Sequence, residues 1–179
     1  MQRARLGFVH TVVALTGNRT LNSVFVARAR DRFGVTRGLV ATSEPGVGLV
    51  SEQVGSGEAS LAFDGPHDVE RWDVRGRRGD VEVAHFVCRG STTREPVEAS
   101  ASGGLSERYV AFAVERDDVR RVMHAGWLLR EGDVLAVAIH APEREDALRE
   151  LAELGLEPAP GASQGVAADE GASGAGADD

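Results

Sequence analysis

A strand–helix–strand pattern at residues 9–42 constrains the fold more than any other feature of the sequence. Residues 9–15 and 38–42 are compact apolar runs typical of buried strands, and residues 19–33 between them place apolar side chains at helical spacing. A helix that connects two neighbouring strands makes them parallel, with a right-handed crossover. We therefore predict an α/β fold with a parallel sheet in this part of the chain.

The turn Thr16-Gly17-Asn18 is the one loop that we single out as a candidate ligand site. It follows the first predicted strand and opens the helix, and Asn18 or Thr20 can accept hydrogen bonds from the first amides of that helix. In open α/β sheets, ligands bind at the carboxyl ends of strands, where helix N-terminal amides favour anions. The alternative interpretation is an ordinary capped turn that contacts no ligand.

The middle of the chain predicts short elements joined by glycine-rich and polar stretches. The expected elements are a short helix at 47–54, a strand at 59–63, a helix at 67–77 with Val69 and Trp72 inward, and a strand at 80–88. The mixed charges of the 67–77 helix are interpreted as a solvated surface. The small and polar residues 90–106 predict a linker.

A second block of strands and one helix follows the linker. Pro142 opens its final helix, in a position where proline is tolerated, and Gly155 ends that helix. Leu148, Leu151 and Leu154 form the apolar stripe of the helix. The predicted strands are 109–115, 119–123 and 134–140, the turns between them are 116–118 and 130–133, and the helix spans about 142–154.

The charge of the chain is distributed unevenly. The sequence has 28 acidic and 20 basic residues, all of the latter arginine, for a formal net charge of −8. Four of the acidic residues and no basic residue lie in 159–179, and we expect this tail to be disordered. The acidic balance argues against a nucleic-acid partner, which would normally face a basic surface. The lack of lysine excludes catalysis by a lysine amine.

The expected location of the protein is the cytoplasm. No apolar run approaches the roughly 20 residues that a bilayer-spanning helix needs. Gly17-Asn18-Arg19 interrupts the apolar run near the N-terminus, and no clear cleavage site follows, so a signal peptide is not predicted. Cys88 is the only cysteine, so no internal disulfide indicates an oxidising compartment.

Sequence motifs for catalysis and for cofactor binding are incomplete or lacking. The glycine pairs at 46–48 and 55–57 lack the third glycine of a dinucleotide fingerprint, and neither a Walker A nor a G-x-S-x-G sequence occurs. His85 and Cys88 are three residues apart, but on a strand they point to opposite faces. We therefore predict no catalytic residue and no metal site, and a small enzyme ranks last among the hypotheses.

Residues 12–42, VVALTGNRTLNSVFVARARDRFGVTRGLVAT, resemble the second half of a TrkA-N domain, the nucleotide-binding unit of RCK/KTN regulators of potassium transport. In that family a strand ends in a Thr-Gly-Asn/Asp-type turn, and an asparagine follows on the helix. Residues 63–83 look like a stretch found beyond TrkA-N domains that are fused to cation:proton antiporters. The resemblance implies cofactor contacts at Thr16, Gly17, Asn18 and Asn22.

The C-terminal block resembles a second module of the same family. Residues 109–157 are similar to an RCK C-terminal (TrkA-C) module, in which a strand pair precedes L-x-x-G-D, a strand and a helix; Leu129, Gly132 and Asp133 carry that motif. The resemblance implies a partial Rossmann-like parallel sheet, a small α+β subdomain and an acidic tail. The implied division is a truncated TrkA-N-like region at 1–89, a linker at 90–106, a TrkA-C-like subdomain at 107–158 and a disordered tail at 159–179.

The sequence departs from this family at its beginning. The family's first βαβ half, with its glycine-rich phosphate loop and its acidic ribose contact, has no counterpart here. The resemblance implies NAD(H) or ATP/ADP as a cofactor, but the loop that would hold the phosphates is absent, so no cofactor is assigned. Two explanations stay open: the missing half and any membrane part belong to a neighbouring polypeptide, or the chain is a degenerate remnant.

The resulting expectation is a non-enzymatic, cytosolic regulatory module of a monovalent cation transport system, similar to the soluble part of Na⁺(K⁺)/H⁺ antiporters or Trk/Ktr-type potassium transporters. The expected partner is a membrane transporter or antiporter subunit, which would place the chain at the inner face of the plasma membrane. A homo-oligomer is also expected. The alternative is a stand-alone ligand-sensing or dimerisation protein with a degenerate nucleotide-binding fold, because an incomplete parallel sheet leaves an unpaired edge.

Overall fold

The structure, a computed structural model, describes residues 10–42, 59–90 and 107–160, which form a mixed α/β fold. The expected helix at 47–54, both glycine pairs, most of the linker and the tail beyond residue 160 lie outside these ranges. No helix in the described ranges is long and apolar enough to cross a bilayer. The elements are β1 (Thr11–Ala14), α1 (Arg19–Phe33), β2 (Arg37–Val40), β3 (Ala59–Leu61), α2 (Val69–Arg78), β4 (Val81–Cys88), β5 (Tyr109–Arg116), β6 (Val119–Val122), β7 (Val134–His140), α3 (Arg144–Glu153) and β8 (Leu156–Pro158).

The first three strands form a parallel sheet in the order β1-β2-β3, with α1 connecting β1 to β2. This confirms the predicted parallel strand–helix–strand unit. Helix α1 occupies its predicted range because both caps are present: Asn18 Oδ1 accepts a hydrogen bond from the Leu21 amide at 2.9 Å, and Gly34 ends the helix at a φ of 66°. Gly38 lets the helix approach β2 closely, since a Cβ there would collide with Val26.

The other five strands form an antiparallel sheet in the order β6-β5-β7-β4-β8. Strand β4 pairs with β7 along seven residues, from Val81 to Val87. The last strand of the predicted region 1–89 therefore lies in one sheet with the strands of the predicted subdomain 107–158. Strand β8, which pairs with β4, was not predicted, because three residues are too few to show an alternating pattern.

Helix α2 lies near its predicted position at 67–77. Asp68 is its N-cap, with Oδ1 accepting a hydrogen bond from the Arg71 amide at 3.0 Å, and Gly79 ends it at a φ of 77°. Val69 and Trp72, the two residues predicted to point inward, are half-buried, and no residue of this helix is fully buried. The helix therefore lies on the surface of the molecule, with one side against the body.

A two-residue turn joins β5 to β6. Arg116 and Val119 are the last pair of the hairpin, and Asp117 and Asp118 between them have φ values of 52° and 59°. Positive φ at both positions is the geometry of a type I′ turn, whose twist matches that of the flanking strands. The predicted turn at 116–118 is thus confirmed.

The largest hydrophobic core includes the antiparallel sheet and α3. Leu151 is fully buried, and Leu148 and Leu154 pack partly buried against the same core, which confirms the predicted apolar stripe. Pro142 lies in a single 3-10 turn, Ala141–Glu143, just before α3. The core also contains buried side chains of four strands, among them Phe86, Cys88, Val114, Leu135, Val137, Ile139 and Leu156.

An ion pair holds the turn that leads into β7. Asp133 is 2% exposed and accepts hydrogen bonds from Arg116 Nε at 2.7 Å, from Arg116 Nη2 at 2.6 Å and from the Arg130 amide at 2.9 Å. Burial alone would raise the pKa of Asp133, but the hydrogen bonds from Arg116 and Arg130 outweigh it and hold the pKa below its ordinary value. The aspartate of the L-x-x-G-D motif therefore ties this turn to the end of β5.

The two sheets meet where β3 ends. The Phe63 amide donates to the Met123 carbonyl at 2.8 Å, the Ala125 amide donates to the Leu61 carbonyl at 3.0 Å, and Ala62 forms an isolated antiparallel bridge beside them. Phe63 has a φ of 68°, which is unusual for an aromatic residue. The carboxyl end of β3 is thus bonded directly to the segment that follows β6.

Candidate functional site

The turn Thr16-Gly17-Asn18 connects β1 to α1 at the carboxyl end of β1, as predicted. Thr16 Oγ1 accepts a hydrogen bond from the Asn18 amide at 3.3 Å, while the Asn18 side chain caps the helix. All three residues are exposed. The turn therefore has the geometry of a capped βα loop that is open to solvent, and the predicted ligand contact at these residues stays a prediction.

Asn22 lies beneath this turn and is fully buried. Its Oδ1 accepts hydrogen bonds from Thr16 N at 3.0 Å and from Thr16 Oγ1 at 2.5 Å, and its Nδ2 donates to the carbonyls of Thr16 at 2.8 Å and Ala41 at 3.1 Å. Two donors and two acceptors are the full capacity of an amide side chain. Asn22 therefore holds the turn against the end of β2, and its amide has no capacity left for a cofactor.

Glu70 of α2 stands directly beside the turn. A Cβ built on Gly17 would collide with the Glu70 carboxylate, so glycine is the residue that lets these two segments come together. The carboxylate thereby places a negative charge near the N-terminus of α1, where the helix dipole favours one. An anionic ligand at this turn would have to displace Glu70 or coexist with it.

A histidine–aspartate pair, with the histidine buried, follows β3 at the same edge of the sheet. His67 is 7% exposed, and its Nε2 lies 2.8 Å from Asp64 Oδ1, which also accepts a hydrogen bond from the Ala111 amide of β5 at 3.2 Å. The His67 amide donates to the Thr42 carbonyl, just beyond β2, at 2.8 Å. The pair therefore joins the end of the parallel sheet to the antiparallel sheet.

These contacts form a polar path that we call the strand-end path: Thr16, Asn22, Ala41, Thr42, His67, Asp64 and Ala111. Each step is a hydrogen bond, apart from the peptide bond between Ala41 and Thr42 and the backbone of His67 that connects its amide to its ring. The path runs from the predicted ligand turn, past the ends of β2 and β3, to β5. It gives a physical connection between that turn and the antiparallel sheet.

The sequence interpretation found only the first part of this arrangement. Asp64, His67 and Glu70 were not predicted as site residues, because their roles depend on α2 folding back towards the β1–α1 turn and on β5 lying beside β3. Neither packing leaves a signal in a local pattern. A polar or charged residue soon after a predicted strand, as in Asp64, is the one cue that was available.

In the part of the chain that the structure describes, no three His, Cys, Asp or Glu side chains lie close enough together to bind one metal ion. Cys88 is buried in the main core, and its thiol lies 2.8 Å from the Gly90 carbonyl. His85, on the same strand, is half-buried and is not a member of that core.

Comparison with known proteins identifies no family for this chain. No protein-family model matches the chain, and no curated protein matches it.

Proposed function

We propose that the chain is a non-enzymatic regulatory module of a monovalent cation transport system, with a partial Rossmann-like half that senses a ligand and a smaller half that passes on the response. The observation that carries this proposal is the strand-end path. A regulatory module needs two sites and a physical coupling between them. The path supplies such a coupling between the exposed turn at Thr16 and strand β5.

The order of elements in the C-terminal half also supports the proposal. The hairpin β5–β6 precedes Leu129-x-x-Gly132-Asp133, and β7 and α3 follow it, which is the order that the resemblance to an RCK C-terminal module implies. Asp133 is buried and paired with Arg116, so this motif has a defined structural role in the chain. The strands around it form the platform to which the strand-end path leads.

The proposed mechanism is a shift between two arrangements of the carboxyl edge of the parallel sheet. A ligand at the exposed turn can bias that equilibrium only if it binds one arrangement more tightly. Displacement of the Glu70 carboxylate from Gly17 is the first candidate for such a change, because only Asp68 separates His67 of the path from the start of α2. Nucleotides such as NAD(H) or ATP/ADP are the ligands that we propose to test at this turn.

Strand β1 provides a position for the proposed membrane partner. Among the described residues, β1 pairs on one side only, with β2, and we propose that its other edge accepts a strand from another chain. A transporter subunit that carries a complementary nucleotide-binding half could complete the sheet there. This would place the chain at the cytosolic face of the membrane through protein contact.

The test is ion transport in inverted membrane vesicles from source cells that lack the gene, with purified protein added back. We expect wild-type protein to restore a nucleotide-dependent component of potassium or sodium flux. Asp64→Ala should remove the nucleotide dependence because it breaks the strand-end path. Asp31→Ala, at an exposed position of α1, is the matched control and should behave as wild type. Identical flux with and without wild-type protein, with each ion and nucleotide tested, would overturn the proposal.

A second candidate function is self-association as a stand-alone sensor, and an apolar surface favours it. Four side chains beside the open edge of β1 and on α1 are 45–55% exposed: Leu15, Leu21, Val24 and Phe25. A surface of this kind is typical of an interaction site. Light scattering of the wild type and Phe25→Glu distinguishes the outcomes: a wild-type dimer that the substitution dissociates supports self-association, and a wild-type monomer at micromolar concentration excludes it.

A further inference from the structure

A cavity of about 490 Å³ lies between α2 and the sheet edge where β4 begins and β7 ends. Its α2 side presents the guanidinium groups of Arg71, Arg75 and Arg78, and its far side includes Asp80 and His140. This volume is within the range of small-molecule sites in proteins. Sequence patterning predicted only a solvated helix surface here. Glu70, which the proposed transport mechanism uses, also lines the cavity, but the arginines do not take part in that mechanism.

Arg75 is the residue that makes this cavity unusual. Its side chain is only 11% exposed, and its Cζ lies 5.0 Å from the centre of the Trp72 ring. Nη1 donates to the Glu107 backbone carbonyl at 2.6 Å, but the nearest paired carboxylate, Glu143, is 3.9 Å from Nη2. Burial, and then repulsion by Arg71, lower the pKa of Arg75 from its ordinary value. The guanidinium is thus held in place with its positive charge incompletely balanced.

The neighbouring basic groups have unused hydrogen-bonding capacity. Arg78 makes no hydrogen bond or ion pair with any residue in the described ranges, although it lines the cavity. His140 Nδ1 lies 2.7 Å from Glu143 Oε2, and its Nε2 has no hydrogen-bond partner among the described residues. Among the other lining charges, Arg71 pairs with Glu107 and Asp68 is engaged as the α2 cap, and Glu70 and Asp80 complete the set.

We propose that this cavity is a binding site for a small phosphate-bearing molecule, held by the guanidinium groups of Arg75 and Arg78. Guanidinium groups present paired N–H donors that match the geometry of phosphate oxygens, and such charge-assisted hydrogen bonds are the strong ones. The site differs from the Thr16 turn and does not depend on it.

The test is isothermal titration of the isolated chain with inorganic pyrophosphate at constant ionic strength. We expect saturable binding in the roughly millimolar range or tighter. Arg78→Ala should weaken it about tenfold, since one charge-assisted contact is lost. Arg77→Ala is the matched control: it is the adjacent arginine, it pairs with Asp73, and it does not line the cavity, so binding should stay within about twofold of wild type.

Two results would overturn the site. One is the lack of saturable binding by wild-type protein; the other is equal weakening by Arg77→Ala and Arg78→Ala, which would indicate general attraction to a basic helix. Arg75→Gln should weaken binding more than Arg78→Ala, with circular dichroism as the check that the variant is folded. The titration uses no membrane and no transporter, so its failure leaves the transport assay unaffected, and the converse also holds.

Discussion

The antiparallel and the parallel sheet differ in how completely they bury their apolar residues. Among the residues that the structure describes, the core of the antiparallel sheet and α3 contains twelve buried side chains, whereas the two clusters on the parallel sheet contain three each. Large apolar residues of α1 also stay exposed, among them Leu21 and Phe25 at 55%. Since apolar burial is the main source of stability, the antiparallel sheet is the scaffold, and the parallel sheet has surface available for another molecule.

The two regions also use polar groups differently. In the antiparallel sheet, the Asp133–Arg116 pair anchors one turn at the edge of an apolar core. In the parallel sheet, Asn22 and the His67–Asp64 pair connect the strand ends to one another and to β5. Such a polar network has a defined geometry and is costly to leave partly unpaired. It is therefore suited to transmit a change from one strand end to the next.

The largest expected effect is the loss of an aromatic ring from the main core. Phe86 is 1% exposed, so Phe86→Ala should lower the free energy of unfolding by about 3–5 kcal/mol. Phe25→Ala removes the same kind of ring from the surface of α1 and should change the free energy of unfolding by about 0.5 kcal/mol or less. Urea unfolding followed by circular dichroism measures both. Equal losses of unfolding free energy for the two variants would contradict the proposed difference in burial between the two regions.

The second effect is the loss of the Asp133 carboxylate, which should cost about 3 kcal/mol at neutral pH because it leaves Arg116 without its partner. The pKa of Asp133 in the folded state lies below the ordinary value of 3.8, so its charged form stabilises the fold. The contribution of the ionised Asp133 to stability is fully present above pH 3.8, and it is lost as the pH falls through the folded-state pKa. The stability difference between wild type and Asp133→Asn should therefore shrink in acid; a difference that grows there would contradict this assignment.

The smallest of these effects concerns the strand-end path. Asn22→Ala leaves the Thr16 amide and the buried Ala41 carbonyl without the Asn22 side chain as partner, which should cost about 2 kcal/mol. Ser23→Ala, the next position on the same helix, removes one hydroxyl that bonds the Arg19 carbonyl and should cost less than about 0.5 kcal/mol. Thermal unfolding of the two variants makes the comparison. A loss for Asn22→Ala no greater than that for Ser23→Ala would show that the path contributes little.

Local patterns predicted the parts of the fold that depend on neighbouring residues. Helix α1 was predicted at 19–33 and is observed at Arg19–Phe33, because its caps, Asn18 and Gly34, directly flank it in the sequence. Strand β7 was likewise predicted at 134–140. The turn at Thr16 was found from its position after a buried strand. In each case the physical cause acts over a few residues, so it can be identified in the sequence.

Features that depend on distant residues could not be predicted in the same way. Strand β4 was recognised as a strand, but its partner β7 is about fifty residues away, and no local signal specifies that pairing. The contact between Gly17 and Glu70 and the partial burial of Arg75 depend equally on where α2 packs. A helix surface with mixed charges looks the same in sequence whether it faces solvent or a cavity. The candidate sites therefore required the tertiary structure.

Native-state hydrogen exchange tests the central comparison most directly, because it measures the opening free energy of each amide. We predict that the amides of Val137 and Ile139 in β7 exchange only through global unfolding, whereas those of Ala14 in β1 and Leu39 in β2, which lie on the paired sides of their strands, exchange through a partial opening of lower free energy. The antiparallel sheet would then be the stable scaffold and the parallel sheet the adaptable region. Equal opening free energies for the two sheets, or a more stable parallel sheet, would contradict the account.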